Sequence, residues 1–495
     1  MVKREGHMKY DIIIIGAGVI GTSIAYNLIP YDVSVLLLDK NNDVAMGSTR
    51  ANSAIVHAGF DPKPGTLMAK LNVEGCALYE ELCKNLSVPY KRCGSVVLAF
   101  SDEEKELLGE LLDRGNKNGV PDLKILNQEE LRKLEPCVSE EALAALYAPS
   151  AGIVSPWELC LAQAEVFVRN GGTFIGESEV TGISKNEEGA SSKFTVTTNN
   201  GAFDADTVIM ACGLRSDKVH GFVAEPDFKI VPTRGEYFLL DKCEASKANT
   251  VIFQCPNKDG KGILVSPTVH GNLICGPTAE VLTGDPEDTA TTAKMLAVVK
   301  EKAMKSVKNI SWRDNIRNFS GVRANTNIDD FIIREIPDNK GIFEAAGIKS
   351  PGLASSPAIG RYMVGLLKEG GVSLPEKSGG YDMTRKTVHF RYMSNEERAE
   401  LVSKDPAYGR IVCRCEGVTE GEIRDAINSP IPPKSLDAVK RRAGTGMGRC
   451  QGGFCGPRIV QMLLAKQGED SSPLSILQDG TGSNLFTSRD EEVNV

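Results

Sequence analysis

Four cysteines in the last fifth of the chain are spaced for chemistry and not for packing. Cys413 and Cys415 form a Cys-x-Cys pair, and Cys450 and Cys455 form a second pair downstream. Four thiolates in two close pairs suit a metal centre, but zinc ribbons usually place two to four residues between paired cysteines. From the spacing alone, an iron–sulfur cluster, a zinc ion and redox-active thiols all remain open. The other nine cysteines are scattered, and we expect most to be buried, reduced thiols.

The segment from residue 10 to residue 39 reads as strand, glycine turn, helix, strand and acid, with strands predicted at 10–15 and 33–38. In such a unit the glycines permit a tight turn, a close approach to a pyrophosphate and helix packing, while the acid binds ribose hydroxyls. The helix N-terminus also presents free N–H groups to the phosphates. The alternative is a βαβ unit without a nucleotide, and the unit alone does not separate NAD from FAD. The residues assigned to these roles are Gly16, Gly18, Gly21 and Asp39.

Later segments are suited to wrap an extended cofactor. A small polar stretch over 47–53 can surround a pyrophosphate and a flavin with backbone amides. Strands predicted at 206–210 and 341–346 both lead into glycine-containing turns. A helix predicted from 357 to 367 follows the second turn, and its N-terminus can stabilise negative charge on a reduced ring. The cofactor contacts expected beyond the first unit are Ser48, Asn52, Ser53, Val180, Ala211, Gly213, Gly347, Gly352, Leu353, Ala354 and Ser355.

Length and charge limit the function classes. A chain of 495 residues allows about three domains. The net charge of −8 argues against a general nucleic-acid binder. No stretch of about 18 apolar residues is present, so we expect no membrane-spanning helix. The N-terminal residues lack the features of a signal peptide, which favours a cytoplasmic protein.

The glycine unit and the segment over 347–360 resemble the flavoprotein family of D-amino-acid oxidase and glycerol-3-phosphate dehydrogenase, and the resemblance covers roughly residues 9–370. It implies an α/β fold in which FAD lies across a Rossmann-like, doubly wound domain, and an inserted antiparallel β-sheet domain covers the ring. Strands predicted at 194–198 and 233–240 are compatible with that insertion. The expected boundaries are 8–90, 150–220 and 330–370 for the FAD-binding domain and 91–149 and 221–329 for the substrate domain.

The cysteine motifs Cys-Arg-Cys-Glu and Gly-Arg-Cys-Gln-Gly-Gly-Phe-Cys resemble the 2Fe–2S domain of the bacterioferritin-associated ferredoxin type. The large subunit of anaerobic glycerol-3-phosphate dehydrogenase carries such an extension. The resemblance implies a small α-rich iron–sulfur domain with Cys413, Cys415, Cys450 and Cys455 as cluster ligands. We expect a linker over 371–407, this domain over 408–467 and a flexible tail over 468–495.

Four residues are candidates for binding and oxidising a small anionic alcohol. His57 follows the polar stretch and is the leading proton acceptor, because histidine titrates near neutral pH. Arg323 resembles the substrate-binding arginine of the family and can grip a phosphate or carboxylate with two hydrogen bonds. Arg234 is a second candidate anion clamp, and Lys349 is a candidate for adding positive charge beside the reduced ring. The alternatives are a structural histidine and solvated surface cations.

The resemblance implies oxidation of sn-glycerol 3-phosphate to dihydroxyacetone phosphate, with electrons leaving through the cluster to a partner protein or a quinone. Contact with a membrane would then be peripheral, through a partner. Segments over 52–60, 234–237 and 321–323 resemble L-2-hydroxyglutarate oxidase or dehydrogenase, which makes that reaction the alternative. A non-catalytic flavin and iron–sulfur module is a third possibility.

Overall fold

The computed structural model describes residues 7–256 and 262–468. An eight-stranded sheet forms the first layer, and its order follows β10-β11-β12-β1-β2-β9, with β20 beside β12 and β19 beside β20. Its central strands are parallel, as the predicted βαβ unit requires. The strands are β1 (Met8–Ile15), β2 (Val35–Leu38), β9 (Thr173–Ile175), β10 (Val180–Lys185), β11 (Phe194–Thr198), β12 (Gly201–Met210), β19 (Ile332–Glu335) and β20 (Ile342–Ala346).

Helices cover one face of this sheet and bury an apolar layer against it. The first and last of these helices along the chain cross closely at Gly360. A Cβ atom at Gly360 would lie 2.6 Å from the carbonyl oxygen of Ser23, so the crossing leaves no room for a side chain. A second apolar cluster covers the opposite face. The helices on the first face are α1 (Val19–Leu28), α2 (Leu67–Leu86), α5 (Pro156–Arg169) and α8 (Gly352–Glu369).

The last of these helices begins five residues before the predicted start at residue 357. Pro357 lies inside α8, where a proline has no N–H to donate to the carbonyl four residues earlier. That carbonyl belongs to Leu353 and accepts hydrogen bonds from the hydroxyls of Tyr79 and Ser356 instead. The side chains therefore compensate for the proline, and the N-terminus of α8 reaches further toward the sheet edge than the sequence indicated.

A nine-stranded sheet forms the second layer, in the order β17-β13-β16-β15-β14-β5-β7-β6, with β18 also paired to β13. It is antiparallel apart from the β14–β5 pair. Its strands are β5 (Ser95–Ala99), β6 (Lys124–Asn127), β7 (Ala144–Ala148), β13 (Ile230–Leu240), β14 (Val251–Gln254), β15 (Leu264–Pro267), β16 (Leu273–Gly276), β17 (Glu280–Val281) and β18 (Asn315–Thr326).

Smaller elements complete the two layers. A three-stranded sheet of β3 (Ile55–Val56), β8 (Gly152–Val154) and β4 (Tyr90–Lys91) lies where the chain crosses between them. The remaining helices are α3 (Asp102–Asn118), α4 (Gln128–Leu134), α6 (Ser216–His220) and α7 (Ala293–Ser306). The predicted α/β class with an inserted, mainly antiparallel sheet is confirmed.

The segment between residue 371 and residue 407 lies along the first domain. Arg385 pairs with the buried Glu165 at 2.7 Å, and the Tyr26 hydroxyl donates to the carbonyl of Met383. It contains one helix, α9 (Asn395–Lys404), with a capping box at Ser394. The segment predicted as a linker is thus held by specific contacts.

The cysteine module has its own apolar core and consists of a two-stranded ribbon and three short helices. These elements are β21 (Ile411–Cys413), β22 (Val418–Thr419), α10 (Glu420–Ile427), α11 (Leu436–Ala443) and α12 (Gly456–Gln467). The predicted small α-rich domain is confirmed. Apart from Gly468, the tail predicted to be flexible lies outside the described residues.

Candidate functional site

A cavity of about 1270 Å³ lies between the two large sheets. Its walls come from distant parts of the chain: the first glycine turn, the polar stretch over 47–53, the middle of β13 and β18, and the start of α8. The predicted residues that line it are Gly16, Gly18, Asp39, Ser48, Asn52, Ser53, His57, Val180, Ala211, Gly213, Arg323, Lys349, Gly352 and Leu353.

The glycine turn forms one end of the cavity. Gly16 has a φ of +105°, and a Cβ there would lie 2.4 Å from the carbonyl oxygen of Ala211. Gly18 is the N-cap residue of α1, where the hydroxyl of Thr49 accepts a hydrogen bond from the N–H of Val19 at 3.0 Å. Gly21 packs against the carbonyl of Gly16 and does not line the cavity, so its contribution is to helix packing.

The Asp39 carboxylate is fixed by the turn that it faces. It accepts hydrogen bonds from the N–H of Ala17 and the N–H of Asn41, both at 2.8 Å. Burial raises the pKa of Asp39, and these hydrogen bonds oppose that shift. The Asn41 side-chain amide donates a third hydrogen bond at 3.0 Å, and since a carboxylate can accept about four, Asp39 keeps acceptor capacity at the cavity wall.

The polar stretch over 47–53 is braced against β18. Ser48 donates to the carbonyl of Val322 at 2.6 Å, and a Cβ at Gly321 would lie 1.8 Å from the carbonyl oxygen of Ala51. The side-chain amide of Asn52 is bonded within the loop, to the carbonyls of Ser48 and Thr49 and to the N–H of Ala54. Asn52 therefore shapes the loop and leaves the backbone to face the cavity.

The N-terminus of α8 opens into the cavity through Gly352 and Leu353. Ala354 and Ser355 were expected to contact the cofactor, but both are buried in the first turns and do not line the cavity. The Ser355 hydroxyl donates to the carbonyl of Pro351 instead. Gly347 lies in the preceding turn against Thr326, with a φ of +64°, and is also outside the lining.

His57 follows β3 and lines the cavity with its half-buried ring. The ring stacks on Phe253 with centroids 5.6 Å apart, and its Nε2 atom lies 3.4 Å from the Ser350 hydroxyl. The contact with Phe253 orients the imidazole, and Ser350 comes from the loop that leads into α8. The contacts of His57 with Phe253 and Ser350 were not predicted, because neither residue is near His57 along the chain.

Arg323 projects from β18 over the adjacent strand. Its two terminal guanidinium nitrogens each lie 3.3 Å from the carbonyl of Thr278, and Gly235 leaves the space that the guanidinium occupies. Within the described ranges, Arg323 has no carboxylate partner within ion-pair distance. Lys349 also lines the cavity, with its Nζ 3.7 Å from Asp329.

Arg234 is not one of the cations that line the cavity, so the prediction that it is a second anion clamp is wrong. It is buried and pairs with Glu280 and Asp288 at 2.6 Å each. Successive side chains on a strand point to opposite faces, and the neighbours that line the cavity are Thr233 and Tyr237. Arg234 therefore faces away from the cavity. The same alternation along β13 could have identified Tyr237, whose hydroxyl lies 3.0 Å from that of Ser53.

The four clustered cysteines converge in the C-terminal module. Cys415 and Cys450 have sulfurs 3.5 Å apart, whereas Cys413 and Cys455 are buried beside each other. No three of these sulfurs all lie within 4.8 Å of one another in the part of the chain that the structure describes. One tetrahedral zinc ion holds all its sulfurs about 2.3 Å away, so it needs a tighter group. Two sulfur pairs fit a two-iron cluster better.

Backbone amides point at these sulfurs. Hydrogen bonding from the Phe454 N–H, together with Cys415, holds the pKa of Cys450 below its ordinary value. Burial raises the pKa of Cys455 to about 11 when no metal charge is present. Amides directed at ligand sulfurs are a known means of stabilising a cluster's negative charge.

The module docks on both large domains. Arg441 and Arg442 reach the buried Asp43 at 2.6 and 2.8 Å. Arg449, next to a ligand cysteine, pairs with Asp241 at 3.1 Å. Asp241 follows β13, four residues after the cavity residue Tyr237, which corresponds to about 13 Å along a strand. The cysteines thus lie close to the end of a strand that also forms the cavity wall.

The chain matches two family models: FAD dependent oxidoreductase (DAO) over residues 11–366, and BFD-like [2Fe-2S] binding domain over residues 411–465. A glycerol 3-phosphate dehydrogenase of Caloramator mitchellensis is 45% identical over 97% of this chain and 98% of its own length. Human mitochondrial L-2-hydroxyglutarate dehydrogenase is 34% identical over 55% of this chain and 61% of its own.

Among solved structures, an L-alpha-glycerophosphate oxidase from Mycoplasma pneumoniae with FAD bound is similar, with a TM-score of 0.72 and 30% identity. The match covers 77% of this chain and 99% of that one. The prediction of FAD and a 2Fe–2S cluster as cofactors is confirmed, and an enzymatic role replaces the non-catalytic alternative. Across the described ranges, no helix combines the length and apolarity needed to cross a bilayer. The chain belongs to the DAO family of FAD-dependent oxidoreductases and carries a C-terminal BFD-like 2Fe–2S domain.

Proposed function

We propose that the protein oxidises sn-glycerol 3-phosphate to dihydroxyacetone phosphate and passes the electrons to a separate acceptor through the 2Fe–2S cluster. The observation that carries this proposal is the grouping of His57, Arg323 and Lys349 on one cavity. The identity of 45% to a glycerol 3-phosphate dehydrogenase over nearly the whole chain supports the choice of substrate.

Each of the three side chains has a distinct role. Arg323 holds the phosphate by paired, charge-assisted hydrogen bonds, since the partner of its guanidinium among the described residues is the neutral carbonyl of Thr278. His57 Nε2 accepts the proton of the secondary hydroxyl as its carbon loses hydride. Lys349 adds positive charge to the cavity wall next to Ser350, whose hydroxyl lies 3.4 Å from His57 Nε2. The N-terminus of α8 provides a second source of positive potential there.

The cofactors supply the redox chemistry. Bound FAD accepts the two electrons as a hydride, and the cluster carries electrons singly. The fit of FAD to the cavity is supported by the glycine turn, the Asp39 carboxylate and the amide-lined stretch over 47–53. The remaining proposed cofactor contacts are Gly18, Ser48, Ser53, Val180, Ala211, Gly213, Gly352 and Leu353.

L-2-Hydroxyglutarate is the second candidate substrate, because Arg323 would bind a carboxylate as well as a phosphate and the human dehydrogenase shares 34% identity. Anaerobic stopped-flow measurement of flavin absorbance near 450 nm separates the two. We expect fast bleaching with sn-glycerol 3-phosphate and slow bleaching with L-2-hydroxyglutarate, sn-glycerol 1-phosphate or glycerol. Faster bleaching with L-2-hydroxyglutarate would replace the first candidate by the second.

A further inference from the structure

The loop between the last two cluster ligands carries a large aromatic side chain in solvent. Phe454 is 85% exposed, more than any other large apolar residue in the described part of the chain. It lies directly before Cys455 and four residues after Cys450. Of the four ligands, Cys415 is also exposed. The edge of the cysteine site and Phe454 therefore belong to the same open surface.

The backbone that carries Phe454 is held by the same loop that holds the ligands. The backbone around it is pinned by hydrogen bonds from Gly453 to the carbonyl of Cys450 at 3.0 Å and from Gly456 to the carbonyl of Gly452 at 2.7 Å. Its own N–H is directed at the Cys450 sulfur. An exposed aromatic side chain on a hydrogen-bonded backbone segment has few torsions to order on binding, which suits it as an anchor for a partner.

The module differs in charge from the rest of the chain. Residues 408–468 contain ten lysines and arginines against five aspartates and glutamates, whereas the remainder of the chain carries a net charge of −13. An oxidised 2Fe–2S cluster with its four thiolates adds two negative charges, which gives the module alone about +3. Three of its cations are paired with carboxylates of the large domains, because Arg441 and Arg442 are buried against Asp43 and Arg449 contacts Asp241. Arg414 lies between two ligands and is exposed, and no carboxylate among the described residues is paired with it.

We propose that Phe454 and Arg414 form the docking surface for a small, acidic, one-electron carrier protein. This proposal rests on the proposed function, because it names the acceptor that the oxidation requires. Each substrate molecule reduces two carriers and releases two protons. A protein fits better than a lipid surface, since interfacial binding needs a broad apolar face. Here the aromatic residue follows two glycines and is accompanied by a cation.

The test uses full-length protein that has been reduced with dithionite and freed of excess reductant, so that it does not depend on the substrate. It is mixed with an acidic blue-copper protein, a basic c-type cytochrome, or phosphatidylcholine vesicles containing ubiquinone. At low ionic strength we expect reduction of the acidic carrier to be at least about tenfold faster than that of the basic one. The rate should fall steeply as salt is added.

Phe454→Ser and Arg414→Gln should each slow reduction of the acidic carrier about tenfold, and Arg414→Gln should also weaken its salt dependence. The cluster's visible absorbance verifies that these variants retain the cofactor. Met304→Ser and Arg132→Gln are matched controls, because both residues are exposed on the second domain, and we expect wild-type rates from both.

Three results would overturn the proposal. The first is faster reduction of the basic cytochrome than of the acidic carrier, and the second is that Phe454→Ser slows reduction of ubiquinone but of neither protein carrier. The third is a dimer of the wild-type protein in sedimentation that Phe454→Ser dissociates. These results would assign the surface to a basic partner, a membrane or a second copy. Failure of the proposed function is distinguishable, because it appears as an absence of flavin bleaching by sn-glycerol 3-phosphate.

Discussion

The cavity and the cysteine module are built on different principles. The cavity is assembled from both large sheets, and its functional side chains are oriented by contacts with distant segments, such as His57 on Phe253. The module has an independent apolar core and keeps part of its metal site at the surface. A change in the cavity should therefore alter chemistry, whereas a change in the module should alter the exit of electrons.

The attachment of the module to the body of the protein qualifies this contrast. Asp43 is buried between Arg441 and Arg442 and lies in the same loop as the cavity residue Asn41. Truncation of the chain near residue 408 would remove both partners of Asp43. A substitution within the cluster site is therefore a cleaner test of the division of roles than truncation.

The largest expected effect comes from Cys415→Ser. Loss of a ligand should abolish the electron paramagnetic resonance signal of the reduced cluster and reduce turnover with the natural acceptor to background. Flavin bleaching by substrate should keep its single-turnover rate, because the ligands lie outside the cavity. Cys243→Ser, at another exposed cysteine, is the control. Loss of flavin reduction in Cys415→Ser would show that the two regions are not separable.

His57→Gln should slow flavin reduction by about 10²–10⁴-fold, since it removes the proton acceptor and leaves FAD bound. Stopped-flow bleaching under nitrogen measures this rate, and flavin content after acid precipitation checks cofactor retention. His389→Gln is a suitable control, because His389 bonds a backbone carbonyl of Ser87 away from the cavity. A change smaller than about fivefold would make His57 a structural residue.

Asp43→Asn tests the attachment of the module. Removing the charge takes away the carboxylate that two buried guanidinium groups share, which should cost about 3–5 kcal/mol in the free energy of unfolding. Glu177→Gln breaks an exposed ion pair to Lys434 of the module and should cost less than about 1 kcal/mol. Equal losses from the two substitutions, measured by urea unfolding, would refute a special role for Asp43.

The same contact predicts a pH dependence. Burial opposes ionisation of Asp43, but Arg442 and Arg441 outweigh it and lower the pKa to about 2 from 3.8. A lowered pKa stabilises the folded protein above pH 3.8, and this contribution is lost as pH falls toward 2. The stability difference between wild type and Asp43→Asn should thus be constant near neutrality and shrink below about pH 4.

Arg323→Ala tests the anion clamp. Each of the paired hydrogen bonds to a charged group is worth about 1.5–3 kcal/mol, so their loss should lower kcat/KM by at least roughly 10-fold. Most of the loss should appear in KM if Arg323 binds the phosphate in the ground state. Arg234→Ala should instead lower stability, because it leaves Glu280 and Asp288 unpaired. Unchanged kinetics in Arg323→Ala would place this residue outside the binding site.

Local pattern was sufficient for the parts of the fold that short-range geometry controls. The βαβ unit and its glycine turn were predictable, because their function depends on spacing within a few residues. The two cysteine motifs were also recognisable locally, but the sulfur contact joins Cys415 of one motif to Cys450 of the other. The start of α8 was not, because hydroxyls from Tyr79 and Ser356 compensate for Pro357. No single-sequence propensity includes a partner that is nearly 280 residues away.

The sequence by itself determined that a dinucleotide and a thiolate-held centre could bind and which residues were available to hold them, and its resemblance to known families indicated FAD and a 2Fe–2S cluster. Tertiary structure decided which of those residues meet. The pairing of β13 with β18 brought Arg323 to the cavity, and the alternation of β13 turned Arg234 away from it. Docking brought Arg441 and Arg442 to Asp43 across nearly 400 residues of chain. Such contacts depend on packing between remote segments, which local spacing does not encode.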